Sequence, residues 1–330
     1  MVIIICTSKA RKFYVYFNKL IYIKGDCMTI KNNAKELIGN TPLIKLNSLK
    51  KEGRADIYAK VEKNNIAGSV KDRIALYMIE EAEKEEKIKP GDTIVEPTSG
   101  NTGVALAALA SAKGYKLILT MPASMSKERE QLAKAYGAEV IRTTEGALQG
   151  AVDKAKELAN EHGYFFPDQF SNPANIKAHY ETTGPEILAE LTPDAFIAGV
   201  GTGGTVSGVG KKLKETDKDI KVYAIQPAES PLLSGGEAAS HKIQGIGGNF
   251  VPANLDYDVV DDIVSVSSED AINMSRQLAK DEALAVGISS GANVVGAIEI
   301  ADKLGEGKAV VTVLPDTGER YLSTELYPND

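Results

Sequence analysis

The sequence predicts an α/β fold with mainly parallel sheets, and three observations carry that expectation. From Asn40 onward, strand-like apolar runs alternate with segments of helical period. Strands give way to helices through glycine-rich turns, where sheets of this kind bind ligands. The 330-residue chain has no internal repeat and no low-complexity linker, so a second domain must be woven into the first.

The elements follow in order. ADIYAKVE (55–62) reads as a strand, and SVKDRIALYMIEEAEKEEK (69–87) as an amphipathic helix with Ile74, Met78 and Ala82 along one face. DTIVEP (92–97) is a strand, NTGVALAALASAKG (101–114) a buried helix stopped by Gly114, and YKLILTMP (115–122) a strand. SKEREQLAKAYG (126–137) is a helix that starts at Ser126 and Lys127 and stops at Gly137. AEVIRT (138–143) is a strand, GALQGAVDKAKELANEHG (146–163) a helix and YFFPDQ (164–169) a strand. DAFIAGV (194–200), KVYAIQ (221–226), DIVSVS (262–267) and AVVTVLP (309–315) are further strands, with helices between them. The run EEAEKEEKIK (80–89) is expected to be a solvated helix face.

Composition sets limits on function. With 43% hydrophobic and 25% charged residues the chain reads as globular, and no apolar run has the length of a membrane span. A net charge of −7, with no basic stripe interleaved with aromatics, argues against nucleic acid as a partner. Residues 1–27 differ from the rest. They carry Lys9, Arg11, Lys12, Lys19 and Lys24 against Asp26, five of the aromatics and both cysteines, Cys6 and Cys27. They lack the order of parts of a signal peptide and are expected to be an atypical appendage, either not native, as an over-extended start with Met28 as the working initiator, or disordered; the alternative is a basic, aromatic arm that binds a partner. Residues 28–330 then have no cysteine, which excludes disulfides and thiol catalysis there and fits a cytoplasmic setting. His162, His179 and His241 have no metal-ligand spacing, so no metal site is expected, and His179 reads as structural.

Three turns can hold ligands. GVGTGGTVSG (199–208) offers close backbone approach and helix N-terminal amides, a setting for an anion and best of all phosphate. Its G-x-G-x-x-G spacing suggests a dinucleotide, but the next strand ends in Gln226 and Pro227 rather than in an acid. EPTSGNTG (96–103) crowds Thr98, Ser99, Asn101 and Thr102 at a helix start, which suits a carboxylate better than a plain cap. AVGISSGAN (285–293) presents Ser289 and Ser290, able to meet a ring nitrogen or to cap the helix; on the turn alone the cap is the simpler reading. Lys71, in AGSVKDRI (67–74), opens a helix, where the dipole favours negative charge. It is either a solvated lysine or one held for chemistry.

Taken together, IGNTPLIKL (38–46), GSVKDRI (68–74), EPTSGNTG, MPASMSKERE (121–130), DQFSNPAN (168–175), TTGPEI (182–187), GTGGT (201–205), IQGIGGNFVP (243–252), GISSGA (287–292) and LPDTGERYLS (314–323) resemble the cysteine synthase (O-acetylserine sulfhydrylase) family. These are enzymes of fold type II that use pyridoxal 5′-phosphate. The resemblance spans nearly all of 28–330 and none of 1–27. It implies a two-lobed, three-layer fold like that of the tryptophan synthase β-subunit, with a smaller mobile lobe at 65–170 and a larger cofactor-binding lobe at 28–64 and 171–330.

It also implies roles. Lys71 matches the lysine that forms the Schiff base with the cofactor. Asn101 matches the partner of the ring hydroxyl, Gly201, Thr202, Gly203, Gly204 and Thr205 the phosphate cradle, and Ser289 the partner of the pyridine nitrogen, which overrules the cap. Thr98, Ser99, Gly100, Thr102 and Gln169 match the holders of the substrate carboxylate. A serine at the ring nitrogen leaves the ring neutral, which suits β-elimination and replacement better than transamination. The implied reaction makes L-cysteine from O-acetyl-L-serine and sulfide through an aminoacrylate, with Lys71 as the base at Cα. Implied partners are a second copy of the chain and the C-terminal tail of serine acetyltransferase.

Two positions stand apart. Asn65, before Lys71, is expected to bear on loop stiffness and not on chemistry. Asn249 lies in GIGGNFVP, where the family often has Gly-Ala-Gly-Phe, and a polar side chain facing the acceptor's path could admit homocysteine or water. Cystathionine β-synthase and a cysteine lyase releasing hydrogen sulfide are therefore rivals, beside a non-catalytic scaffold and a dehydrogenase.

Overall fold

The structure, a computed structural model, describes residues 30–98, 100–122, 127–143 and 148–327, and near the N-terminus the backbone of three short strands. Those strands, β1 (Ile3–Thr7), β2 (Lys12–Tyr16) and β3 (Leu20–Ile21), pair antiparallel as a small meander.

Next come β4 (Leu43–Lys45), β5 (Asp56–Val61) and helix α1 (Lys71–Lys84). β6 (Thr93–Pro97), α2 (Asn101–Lys113), β7 (Lys116–Pro122), α3 (Lys127–Ala135), β8 (Glu139–Thr143) and α4 (Leu148–His162) form a run of βα units. Their strands make a parallel sheet in the order β6-β7-β8. Gly114 ends α2 in left-handed geometry at φ 79°, a conformation glycine adopts without penalty.

Helices α5 (Pro173–Ala178) and α6 (Gly184–Glu190) flank a π-helical turn at His179–Thr183. They are followed by β9 (Ala195–Gly199), α7 (Gly204–Thr216), β10 (Lys221–Pro227), β11 (Asp262–Val266), α8 (Ser268–Asp281), α9 (Ile288–Leu304) and β12 (Ala309–Leu314). The second sheet runs β11-β10-β9-β12-β5-β4, parallel except for β4 against β5.

Both faces of this larger sheet are covered, as parallel strands require. Along β9, Ala195 and Ile197 join the core under α8 and α9, whereas Phe196 and Ala198 join the one under α6 and α7. β12 divides likewise, with Val310 and Leu314 on one face and Val311 and Val313 on the other. This period of two builds a three-layer lobe. A third core joins Ile74, Met78 and Ala82 of α1 to the smaller sheet and α2, on the face the sequence pattern marked.

Two expectations need correction. YFFPDQ forms no strand. Phe165 alone bridges β6, its N–H donating to Thr93 O (3.0 Å) and its carbonyl accepting from Val95 N–H (2.8 Å). Pro167 then removes a donor, and Asp168 turns the chain at φ 49°, so pairing cannot continue. The acidic run of α1 is tied to its neighbours instead of being merely solvated: Glu80, Glu81 and Glu83 pair with Lys35 (3.0 Å), Lys177 (2.8 Å) and Lys113 (3.0 Å). Ser126 lies outside the described residues, so the start expected there for α3 does too.

Candidate active site

A cavity of about 270 Å³ opens at the carboxyl ends of the strands, and Lys71 lies in its wall as the first residue of α1. The loop before Lys71 is fixed from several sides. Val70 N–H donates to Pro315 O (2.8 Å), and Ser69 bridges Asp316. Buried Asn65 accepts Gly39 N–H (2.8 Å) and donates to Glu62 Oε2 (2.8 Å), Glu62 O (2.9 Å) and Ser69 O (3.1 Å). Asn65 thus ties the loop to Gly39, Glu62 and Ser69.

Two residues past Lys71, Arg73 forms a buried fork. It donates to Glu62 Oε2 (2.7 Å) and Oε1 (2.8 Å), and to both oxygens of Glu186 (2.7 Å each). Lys60 adds a second cation to Glu186 at 2.7 Å. Burial pushes the Glu186 carboxyl up, but the Arg73 and Lys60 contacts outweigh it and hold it at about 2. Helix α1 is anchored by this knot. Burial also lowers the Lys71 ammonium to about 8, with the Asp316 carboxylate opposing the shift. A lysine there is a usable neutral amine near physiological pH.

The glycine turn after β9 borders the same cavity through Gly201, Thr202, Gly203 and Thr205, with Gly204 behind. No side chain fits it. A Cβ at Gly201 would come within 2.3 Å of Gly245 O, at Gly203 within 2.6 Å of Leu255 N, and at Gly204 within 1.9 Å of Asn175 Oδ1. Gly203 is also left-handed at φ 84°. The 13-residue α7 starts here, so its first-turn amides face the opening without intrahelical partners. Thr202 Oγ1 accepts from Asn175 (2.9 Å), and Thr205 Oγ1 lies 3.2 Å from His179 Nε2. Burial, aided by Arg73 and Lys71, pushes His179 well below its ordinary value, so it is neutral.

Thr98, Gly100, Asn101, Thr102 and Gln169 form the opposite wall; Ser99 lies outside the described residues. Gly100 occupies the cap position of α2 and has no side chain to cap it, while Thr98 Oγ1 accepts the Gly100 N–H (3.2 Å). Thr102 Oγ1 donates to Gln169 Oε1 (2.6 Å), which leaves the Gln169 amide NH₂ as its donor. Behind them Glu96 accepts the backbone N–H groups of Asp168 (3.2 Å) and Gln169 (3.4 Å), and burial raises its carboxyl to about 8.

Ser289 lines the cavity at the start of α9, where Gly287 holds the cap position without a side-chain bond. Neither serine caps the helix. Asn249 lies away from the cavity, beside Ala238–His241, and Gly248 takes the wall position instead. Gln226, where a dinucleotide would meet an acid, is buried and bonded to Ser234 (2.7 Å) and Ser265 (3.0 Å). What sequence reasoning missed is the set of charged side chains around Asn101: Asp316, Arg320 and Arg129. Arg129, Asp316 and Arg320 fall inside the quoted motifs MPASMSKERE and LPDTGERYLS, which were the available signal.

Residues 34–316 match the family described as pyridoxal-phosphate dependent enzymes. A cysteine synthase of Staphylococcus aureus (strain Mu50) is 56% identical over 303 residues, 91% of this chain and 98% of that protein. The chain belongs to the cysteine synthase family of pyridoxal-phosphate dependent enzymes.

Solved structures agree. A hydrogen sulfide-producing enzyme from Fusobacterium nucleatum is 46% identical, with a TM-score of 0.85 over 89% of this chain and 99% of that one. An O-acetylserine dependent cystathionine β-synthase from Helicobacter pylori is 41% identical, with a TM-score of 0.86 over 91% of this chain and all 100% of that one. The family's cofactor fits the residues present. The turn, packed so closely on Gly245, Leu255 and Asn175 that only glycine fits, brings bare backbone and the start of α7 to the cavity, which suits a phosphate, and the Lys71 amine can lose its proton to meet an aldehyde.

Proposed function

We propose that this protein makes L-cysteine by replacing the acetate of O-acetyl-L-serine with sulfide. One observation carries the reading: Lys71, its proton affinity lowered to about 8, shares one cavity with a glycine cradle and an uncapped polar helix start. When bound, pyridoxal 5′-phosphate supplies an aldehyde that captures amines and a ring that withdraws electrons from the attached carbon. Lys71 holds the cofactor through its amine, then as a free amine takes the proton from substrate Cα and later returns it. Gly201, Thr202, Gly203, Gly204 and Thr205 hold the phosphate, Asn101 the ring hydroxyl, and Ser289 the ring nitrogen. Thr98, Ser99, Gly100, Thr102 and Gln169 bind the substrate carboxylate and so aim the Cα proton at Lys71. A neutral Ser289 donor limits charge build-up at Cα and favours early loss of a β-leaving group.

The smaller lobe is assigned to 65–170, which contains the sheet β6-β7-β8, and the larger lobe to 28–64 and 171–330, which contains the six-stranded sheet. Residues 1–27 lie outside both, as the family match from residue 34 supports. Closure of the smaller lobe and its 98–102 loop excludes water. The protein works in the cytoplasm as a homodimer, and the C-terminal carboxylate of serine acetyltransferase uses the same carboxylate-binding loop. Family membership supports these assignments.

The test is product analysis with O-acetylserine and two competing acceptors. L-cysteine formed from sulfide in preference to cystathionine formed from homocysteine is the expected result. Dominant cystathionine, or hydrogen sulfide released from added cysteine with no synthesis, transfers the reading to the rival activities.

A further inference from the structure

Asn101 is the first residue of α2, and side chains from distant segments converge on its amide. Its Nδ2 donates to Asp316 Oδ2 at 2.6 Å. Its Oδ1 accepts from Arg320 Nη1 at 2.5 Å and, more weakly, from Arg129 Nε at 3.4 Å. All three charged residues are buried. Each is itself held: Asp316 Oδ2 accepts the Tyr321 hydroxyl (2.8 Å), Arg320 donates to Ala67 O in the Lys71 loop, and Arg129 donates to Gln244 (2.8 Å) over the Tyr321 ring.

The chemistry of these partners leaves the amide one orientation. A primary amide is nearly symmetric in shape, so in an indifferent site it can present either end to a ligand. Guanidinium groups only donate and a carboxylate only accepts. The Asn101 carbonyl must therefore face the arginines, and its NH₂ must face Asp316. That NH₂ has two hydrogens, Asp316 takes one, and the second has no partner among the described residues, although Asn101 borders the cavity. Asp316 Oδ1 and Arg320 Nε are buried and unpaired among the described residues. Buried charged groups left partly unsatisfied call for an explanation, and a functional role is one.

We infer that Asp316 and Arg320 are positioning residues that lock the Asn101 amide, so that an N–H and never the carbonyl meets the cofactor's ring hydroxyl. Arg129 is a third, weaker hold. The inference rests on the reading of Asn101 as the partner of that hydroxyl.

The test is cofactor affinity, measured on cofactor-depleted protein with pyridoxal 5′-phosphate and with 3-deoxypyridoxal 5′-phosphate, which lacks the hydroxyl. Arg320→Lys and Asp316→Asn are each expected to bind pyridoxal 5′-phosphate about tenfold more weakly, the scale of one good hydrogen bond, while the deoxy form changes less than about twofold. In an Asn101→Ala background, Arg320→Lys adds no further loss of preference. An equal loss for both forms, or an unchanged preference, overturns the lock. If Asn101→Ala itself keeps the wild-type preference, the assignment of Asn101 falls and the lock falls with it. Arg129→Lys is expected to shift the preference in the same direction by less, and it decides the question if the other variants do not fold.

Discussion

At the scale of single residues, the proposed chemistry turns on the proton of Lys71. Burial depresses its affinity to about 8, so the neutral amine fraction grows as pH rises through that value. Capture of pyridoxal 5′-phosphate by the cofactor-free protein should therefore speed up with pH, with a midpoint near 8 and a plateau above it. Absorbance-monitored mixing at several pH values checks this, and a midpoint above 10 contradicts the burial argument. Arg73 carries the opposite duty, since it is charged, buried and bonded to Glu62 and Glu186. Arg73→Ala strands buried Glu62 and leaves Glu186 with Lys60 alone, and it is expected to cost about 3–5 kcal/mol in denaturant unfolding, the range for breaking a buried pair. Lys71 was legible as a candidate only through the ten motifs of the family resemblance, since its own seven letters, GSVKDRI, leave a solvated lysine open. The Arg73–Glu186 pairing was not, because 113 residues separate the partners. Asn101 and Asp316 stand 215 apart, and no local spacing reports such a pair.

Secondary-structure elements were legible wherever periodicity and punctuation agreed. The helix from Lys71 and the glycine stop at 114 follow from pattern alone. The glycine-rich turn after β9 was also visible as a strand-to-helix turn, and its reading as a phosphate cradle belongs to the proposed function. Gly203→Ala is expected to weaken pyridoxal 5′-phosphate by about tenfold or more while sparing unphosphorylated pyridoxal, since a Cβ there is both strained at φ 84° and only 2.6 Å from Leu255 N. Equal weakening of both compounds would point to general unfolding of the turn. The piece YFFPDQ misled because aromatics favour strands, while one proline and a left-handed aspartate decide the backbone. This irregular segment hangs on Glu96, whose carboxyl burial raises to about 8. A raised folded-state value gives stability that is full below the unfolded value near 4.5 and is lost as pH rises through about 8. Glu96→Gln lacks that loss, so its melting temperature should gain on the wild type between pH 5 and 9. A constant difference would mean that Glu96 is ionised throughout.

For the whole molecule, the order of elements gave the layered α/β plan, and the six-stranded sheet, covered on both faces, realises it. What the order alone could not give is how the lobes meet. The cavity is assembled from β6, β9 and β12 ends, the 169 turn and the starts of α1, α2, α7 and α9, segments spread over more than 200 residues of chain. Only closure of the fold brings Lys71, the glycine turn after β9 and the polar start of α2 together. That convergence is the central claim, and an absorbance spectrum of the cofactor-loaded protein, before and after O-acetylserine without sulfide, tests it most directly. The account predicts a visible band that O-acetylserine shifts to a new lasting spectrum, with one acetate released per site, and that sulfide restores. A band that ignores O-acetylserine, or the same shift persisting in Lys71→Ala with acetate release, would contradict it.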